Sequence, residues 1–472
     1  MKRITVGVAM LTLLVVVTSA TGGTTATPVS GSWVGRYTLS GPGELLLQLR
    51  GRRAFVALGV GHADVQSVPL STVGGRVRFQ LAGRPEPVAF DGAITHGRLA
   101  GTVRQGAARG TFTARPGSAA GLLARGLYET GGGLQAVVDD PYGPARLVEL
   151  ESGRVRAIYP AGPVFVIGSG FATRASAGTA RFEAEAAQID GQPARRLRVR
   201  QFEVRFRSGG ATLSGTLTIP PGAGKHAAVA FVHGSGRTVR AYLPDLSALL
   251  LRHGVAVLNY DKRGIGQSGG SYPGESPTDG TIDTLARDAE AAARFLAGQP
   301  EIDRTRVGLA GHSQAGWIAP LAGSTEPAIR FLVLFSGPAV TADENDVFQD
   351  LTGQGERVAQ LSDAAIDAEV LRRGPGGVDP IPWIRRLNIP ALWLYGDRDR
   401  HIPPRLSGRL LDPIAAESGR DFTVVSYPNA NHALVETTKG LTSEMLRSDT
   451  FASGMFARVG EWLRAHRFGS PR

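Results

Sequence analysis

The chain contains no cysteine. That absence excludes a disulfide framework, a thiolate metal site, a cysteine nucleophile and a lipid anchor on an N-terminal cysteine. Lysine is scarce too: of 52 basic residues against 41 acidic ones, nearly all are arginine. The arginines are scattered, with no run of five or six. The formal charge of +11 therefore lacks the stripe or arm through which a basic protein grips nucleic acid. Nucleic acid is not an expected partner. Beyond the N-terminus no segment is apolar enough to read as a membrane span. A hydrophobic content of 42% with 20% charge describes a globular chain, and 472 residues are too many for one ordinary core, so two or three domains are expected.

The N-terminus has a pattern of its own. "MKRITVGVAMLTLLVVVTSA" places Lys2 and Arg3 before an apolar stretch from Ile4 to Val17, with small residues following up to Ala20 or Ala26. This is the order of a secretory signal peptide, expected over residues 1–26. The stretch is shorter than the ~20 apolar residues of a spanning helix. The expectation is export to the periplasm or the extracellular space, with an uncleaved N-terminal anchor as the alternative.

From residue 30 to about 116 the texture is β. "RVRFQL" (Arg76 to Leu81) alternates strictly, and Leu45, Leu47 and Leu49 share one side. Glycine and proline punctuate this region every ten or so residues, which predicts a small barrel or sandwich. "RPGSAAG" (Arg115 to Gly121) reads as a joint. Residues 120–198 remain β-like but irregular and carry no motif of their own. Gly168-Ser169-Gly170 lacks the third glycine and the helix of a dinucleotide site, so it reads as a turn. Near residue 200 the pattern changes again. "FEVRFRSGGATLSGTLTIPPG" is a hairpin, and strands then alternate with helices: "AAVAFVHG", "LPDLSALLLRHG", "VAVLNYD", "IDTLARDAEAAARFLAG", "RVGLAGHS", "AIRFLVLFSG", "PALWLYGD", "DFTVVSYP" and a closing "SGMFARVGEWLRAH". Such alternation implies a mostly parallel sheet covered on both faces, with ligands at the carboxyl ends of its strands.

Two serines compete for a catalytic role. "GQSGG" (Gly266 to Gly270) fits the G-x-S-x-G pattern letter for letter around Ser268, whereas "GHSQA" around Ser313 is one glycine short. Context favours Ser313. It follows a buried strand and precedes a helix, with Gly311, Ala315 and Gly316 as the small neighbours a tight strand–turn–helix needs. Ser268 sits in a glycine-rich loop with no helix directly behind it. A serine needs a base, and the base needs an acid to hold its tautomer. Downstream, "LYGDRDRHIP" ends a strand with Asp397 and Asp399, and "NANHAL" follows the last strand with His432. The order serine, aspartate, histidine suits this architecture. Backbone donors for an oxyanion are expected at Gln314 and, in the "HGSG" loop, at Ser235.

"HGSG", "YDKRGIGQSGG", "GHSQAG", "LYGDRDRHIP" and "NANHAL", in that order, resemble the α/β-hydrolase superfamily, nearest its secreted esterase and serine-aminopeptidase-like branch, with relatives among prolyl-oligopeptidase-type enzymes. The resemblance covers roughly residues 200–472. It implies an α/β hydrolase fold preceded by a β-rich N-terminal region, and a lid inserted at about 338–383, mostly polar here. It also implies Asp399, three residues after Gly396, as the acid, and loop-fixing roles for Asp261 and Arg263. Ala315 departs from the family's glycine. The expected activity is cleavage of carboxylic esters through an acyl-enzyme on Ser313, with no metal or organic cofactor and a small-molecule ester or short peptide as substrate. One alternative is a serine peptidase acting on short peptides; residues 30–198 are too few for a propeller of about seven blades at ~40 residues each. Another is an envelope-binding protein whose hydrolase part is inactive. Nothing in the sequence sets the oligomeric state.

Overall fold

The computed structural model describes residues 31–39, 42–50, 53–58, 66–73, 75–81, 86–116, 125–138, 145–161, 164–170, 177–183, 185–417, 419–445 and 448–470. The segment expected to be a signal peptide lies outside the described residues, as does most of the joint after Arg115. Among the described residues no helix is long and apolar enough to cross a membrane.

The first unit is a nine-stranded antiparallel sheet running from Gly31–Thr38 to Ala108–Pro116. Its two edge strands, Gln66–Pro69 and Ser71–Val73, are consecutive in the chain and separated only by Leu70. A sheet whose edges adjoin in sequence is curled almost shut, which limits the exposed backbone edge. The alternation that announced it is visible in Arg76–Leu81, where Val77, Phe79 and Leu81 are buried and Arg76, Arg78 and Gln80 are exposed.

The second unit is a closed barrel of eight antiparallel strands, from Gly126–Thr130 to Gln192–Leu197. Tyr128, Leu147, Ile158, Phe165, Ile167 and Ile189 pack together as one of its cores, as in small barrels whose interiors are filled by side chains. The stretch that reads as irregular β is thus the more regular structure. One reason is that part of the barrel is buried on both faces. In Gly133–Val138, Val137 joins the barrel's own cluster, while Leu134, Ala136 and Val138 pack into the core of the next unit. A strand buried on both sides loses the polar–apolar alternation by which a strand is recognised.

The third unit carries an eight-stranded sheet. Its strands, numbered from the start of this unit, are β1 Arg200–Ser208, β2 Ala211–Ile219, β3 His226–Val232, β4 Ala256–Tyr260, β5 Ile302–His312, β6 Leu332–Phe335, β7 Ala391–Gly396 and β8 Phe422–Tyr427. The order is β1-β2-β4-β3-β5-β6-β7-β8. The β1–β2 hairpin pairs antiparallel with β4, and every other pairing is parallel. Helices α1 (Pro244–Arg252), α2 (Asp279–Ala297), α3 (Ala315–Thr325), α4 (Ala342–Thr352), α5 (Asp363–Arg373), α6 (Ile381–Ile384), α7 (Pro404–Ala415), α8 (Thr442–Met445) and α9 (Met455–Ala465) complete it. β3 shows why the central strands are continuously apolar. Ala228, Ala230 and Val232 face the core shared with α2 and α3, and Ala227, Val229 and Phe231 face the core shared with α1 and α9.

Between β6 and β7, where a lid is expected, the chain forms α4, α5 and α6. A capping box starts α4: the Glu344 carboxylate accepts from the Thr341 N–H at 2.8 Å, and Thr341 Oγ1 accepts from the Glu344 N–H. Phe348 of α4 and Ile366 and Val370 of α5 bury against Leu406 of α7, and Arg405 of α7 holds Asp367 of α5 at 3.0 Å.

The barrel is fastened to the third unit by an ion pair as well as by apolar contact. Arg146 Nη2 lies 2.5 Å from Asp245 Oδ2 at the start of α1, with side-chain exposures of 11% and 2%. Removing one member of a buried pair strands the other charge. Arg146→Ala is expected to destabilise the protein by about 3 kcal/mol, read as a lower thermal midpoint. The Arg146→Ala/Asp245→Ala double variant is expected to lose less than the sum of the two single variants.

Candidate active site

Ser313 occupies the turn between β5 and α3 with φ of +58°. A side chain in this left-handed region is strained by order 1–3 kcal/mol, and persists only where the surroundings impose it. They do so here. The Ser313 N–H donates to the Phe335 carbonyl at 3.0 Å, and its carbonyl accepts from the Gly316 N–H at 2.8 Å. Gly311 permits the tight approach, because a Cβ there would fall 2.5 Å from that of Ala315 and 3.0 Å from the Val232 carbonyl. Ala315 is accommodated and fully buried. Ser313 is half-buried.

Asp399 and His432 meet beside this turn. Asp399 Oδ2 lies 2.7 Å from Nδ1 of His432. The other carboxylate oxygen accepts from the N–H groups of His401 at 2.7 Å and Ile402 at 3.0 Å. The N–H of Asp397 donates to the Tyr427 carbonyl at 2.9 Å, extending the pairing of β7 with β8. The approach of the two loops depends on Gly396: a Cβ there would lie 2.4 Å from the Ala430 carbonyl and 2.5 Å from that of Asn431. Asn431 shapes the histidine loop, its Oδ1 accepting from the N–H groups of Ala433 at 3.0 Å and Val435 at 3.1 Å.

His432 is also held through its backbone and by neighbouring rings. His312 Nε2 donates to the His432 carbonyl at 2.8 Å, which fixes its tautomer, and its Nδ1 accepts from the Tyr242 hydroxyl at 2.8 Å. The His432 ring neighbours those of His312, tilted by 56°, and His401, stacked at 30°, with centroids 4.5 and 4.7 Å away. These three residues carry no recognisable motif; the His before the nucleophile was the only available signal. Burial decides the charge states. It pushes Asp399 up to about 6, against the lowering influence of His401 and its N–H donors, and pushes His432 and His312 down to about 3. Both imidazoles are therefore neutral near pH 7.

The "HGSG" loop follows β3. His233 Nε2 bonds the Tyr260 carbonyl at 2.6 Å, and burial pushes its pKa down to about 3, so it serves the loop as a neutral donor. Ser235 is exposed, and Gln314 caps the N-terminus of α3. Among the described residues neither backbone N–H is used in a hydrogen bond to the protein. Gly234 lies against Ser313: a Cβ there would stand 3.3 Å from that of Ser313.

Ser268 lies elsewhere in the network. It is 8% exposed, donates to the Asp261 carbonyl at 2.6 Å and accepts from the Ser214 N–H at 2.9 Å. Asp261 takes the Arg240 guanidinium at 2.9 Å and the Gln267 N–H at 2.8 Å, and Arg263 bonds Asp288 at 3.0 Å. These bonds fix the loop. A cavity of about 1210 Å³ lies between the barrel and the third unit, away from Ser313. Ion pairs such as Arg195–Glu129 at 2.5 Å and Arg252–Glu151 at 3.0 Å line it. Among the described residues no group of three or more His, Asp and Glu side chains could hold a metal.

The strand order and the serine turn after β5 define the class as an α/β hydrolase fold, and the chain is similar to the esterase and serine-aminopeptidase-like proteins of that superfamily. Residues 223–366 match the family model described as serine aminopeptidase, S33. Esterase EstD of Thermotoga maritima is 23% identical over 282 residues, 53% of this chain and 65% of EstD. Thus the match spans slightly less than two thirds of that relative. Among solved structures, the Pyrococcus furiosus esterase Pf2001 is similar at 19% identity and a TM-score of 0.41, over 56% of this chain and 91% of that one. The 2,6-dihydroxy-pseudo-oxynicotine hydrolase is similar at 17% identity and a TM-score of 0.39, over 58% and 70%.

Ser268→Ala removes a buried acceptor from the Ser214 N–H. It is expected to lower stability by about 1–3 kcal/mol, measured by thermal unfolding. Gly311→Ala is expected to cost a similar amount through overpacking against Ala315 and Val232.

Proposed function

We propose that the protein is a serine hydrolase that cleaves carboxylic esters through an acyl-enzyme intermediate. The observation that carries this reading is the 2.7 Å Asp399–His432 hydrogen bond beside the strained Ser313 turn. In this mechanism neutral His432 takes the proton from the Ser313 hydroxyl as its oxygen attacks the ester carbonyl. The oxyanion of the tetrahedral intermediate rests on the N–H groups of Ser235 and Gln314, helped by the N-terminal dipole of α3. Asp399 keeps the Nδ1–H tautomer and stabilises the imidazolium, which then protonates the departing alcohol. Water repeats the cycle on the acyl-Ser313 ester and releases the acid. Relatives named as esterases support the ester as substrate class. The family model's description supports a second reading, a peptidase of short peptides, which uses the same groups with an amine as leaving group.

A fluorophosphonate probe is expected to label Ser313 in the folded protein. Ser313→Ala is expected to lower kcat by several orders of magnitude, and Ser268→Ala to keep most turnover per folded molecule. An unlabelled wild-type protein, or an active Ser313→Ala variant, would refute the mechanism. Parallel assays with p-nitrophenyl acetate and with aminoacyl and dipeptidyl nitroanilides compare the two substrate classes, since preference is a ratio of specificity constants.

The pH dependence follows from the Asp399–His432 pair. The mechanism needs an ionised Asp399 and a neutral His432. Burial has raised the carboxyl to about 6, so as pH falls a proton enters the pair near that value. kcat/KM is expected to be flat above neutrality and to decline through about pH 6. An acid limb at pH 4 would show that burial does not govern the pair.

A further inference from the structure

Lys262 stands in the "DKRG" turn after β4 and is 1% exposed. Its Nζ donates to the Gly234 carbonyl at 2.7 Å, to the Gly236 carbonyl at 3.1 Å and to Gln314 Oε1 at 3.2 Å. The Tyr272 ring centroid is 5.9 Å away. A buried ammonium is costly unless hydrogen bonds offset its lost hydration. The destinations of these bonds are informative. Two are the carbonyls on either side of Ser235, and the third is the side chain of Gln314. Asp261 and Arg263, its neighbours in the turn, bond instead to Arg240 and Asp288.

Within a planar trans peptide, the carbonyl of one residue and the N–H of the next point in opposite directions. The Gly234 carbonyl faces Lys262, so the Ser235 N–H is turned away from it. The Gln314 side chain is held at both ends, by Lys262 and by the Glu275 carbonyl, to which its Nε2 donates at 3.3 Å. One cation therefore ties together the two segments whose N–H groups are assigned to the oxyanion.

We propose that Lys262 is a positioning residue for the oxyanion site, holding the Ser235 and Gln314 N–H groups in the orientation that receives charge developing on the substrate oxygen. This rests on the hydrolase mechanism above. Being buried, Lys262 touches no substrate; it acts through the two segments it joins, and its positive charge adds to the field at that point.

The test compares full-length wild type with Lys262→Met, which keeps the chain length and removes the donors. Both are assayed with p-nitrophenyl acetate and with phenylboronic acid, whose tetrahedral adduct on serine places an oxygen in the oxyanion site. Lys262→Met is expected to lower kcat on the order of 10–100-fold with KM within about 3-fold. The boronic acid inhibition constant is expected to rise by the same factor as kcat falls. Wild-type kcat and boronate affinity in folded Lys262→Met, or a loss confined to thermal midpoint, would overturn the proposal. Should that variant fail to fold, Lys262→Arg decides. Its planar guanidinium cannot reach the same three acceptors, so kcat and boronate affinity are expected to fall together, and wild-type values would again overturn it. Failure of the underlying mechanism looks different: wild-type protein would resist fluorophosphonate, and Ser313→Ala would retain ester turnover.

Discussion

Parallel neighbouring strands end on the same side of a sheet, and the site depends on that constraint. β5, β7 and β8 run in one direction, so the turns carrying Ser313, Asp399 and His432 emerge along one rim although they are distant in sequence. The rim brings them near one another, and close packing brings two of them into contact. Gly396 lets the backbones of the acid and histidine loops approach to a separation that any Cβ would prevent. Gly311 does the same beneath the serine turn.

Rigidity around that rim comes from two cores, one on each face of the sheet. Alternate residues of β3 enter the α2–α3 core and the α1–α9 core, so the strand cannot shift register without exposing apolar surface on one side or leaving voids on the other. The barrel contributes to the second core through Leu134, Ala136 and Val138 and is joined to α1 by Arg146–Asp245. Its docking face is thus part of the packing behind the site.

Burial also sets the electrostatics. His233, His312 and His432 are pushed toward the neutral form, and Asp399 is pushed up, because none of these charges is well hydrated. Against this background Lys262 is a buried cation solvated by two peptide carbonyls and a glutamine amide. Polar groups in such a setting are held firmly, since each broken hydrogen bond leaves a partner with no water to replace it. That firmness suits donors required to be in place before charge appears.

Much of the third unit was legible because its signals are local. Continuous apolar strands, the glycine that closes "IDTLARDAEAAARFLAG" and caps α2, and the order of short motifs depend on neighbours in sequence. Preference for Ser313 over Ser268 came from the strand–turn–helix setting, and the structure places Ser268 in a buried hydrogen-bonded network. The eight-stranded barrel was not legible, because strands such as Gly133–Val138 are buried on both faces and blur the alternation, and because its closure is a pairing between its first and last strands, distant in sequence. The contacts of His312, Tyr242 and His401 with the His432 segment, signalled only by the His before the nucleophile, and the reach of Lys262 to Gly234, Gly236 and Gln314 were not legible. By itself the sequence determined which elements form and which residue types stand at the strand ends, since periodicity and turn chemistry are short-range. Only the tertiary structure decided how closely Asp399 approaches His432, and where a buried ammonium finds its acceptors, because those outcomes depend on distances between segments that the chain order does not contain.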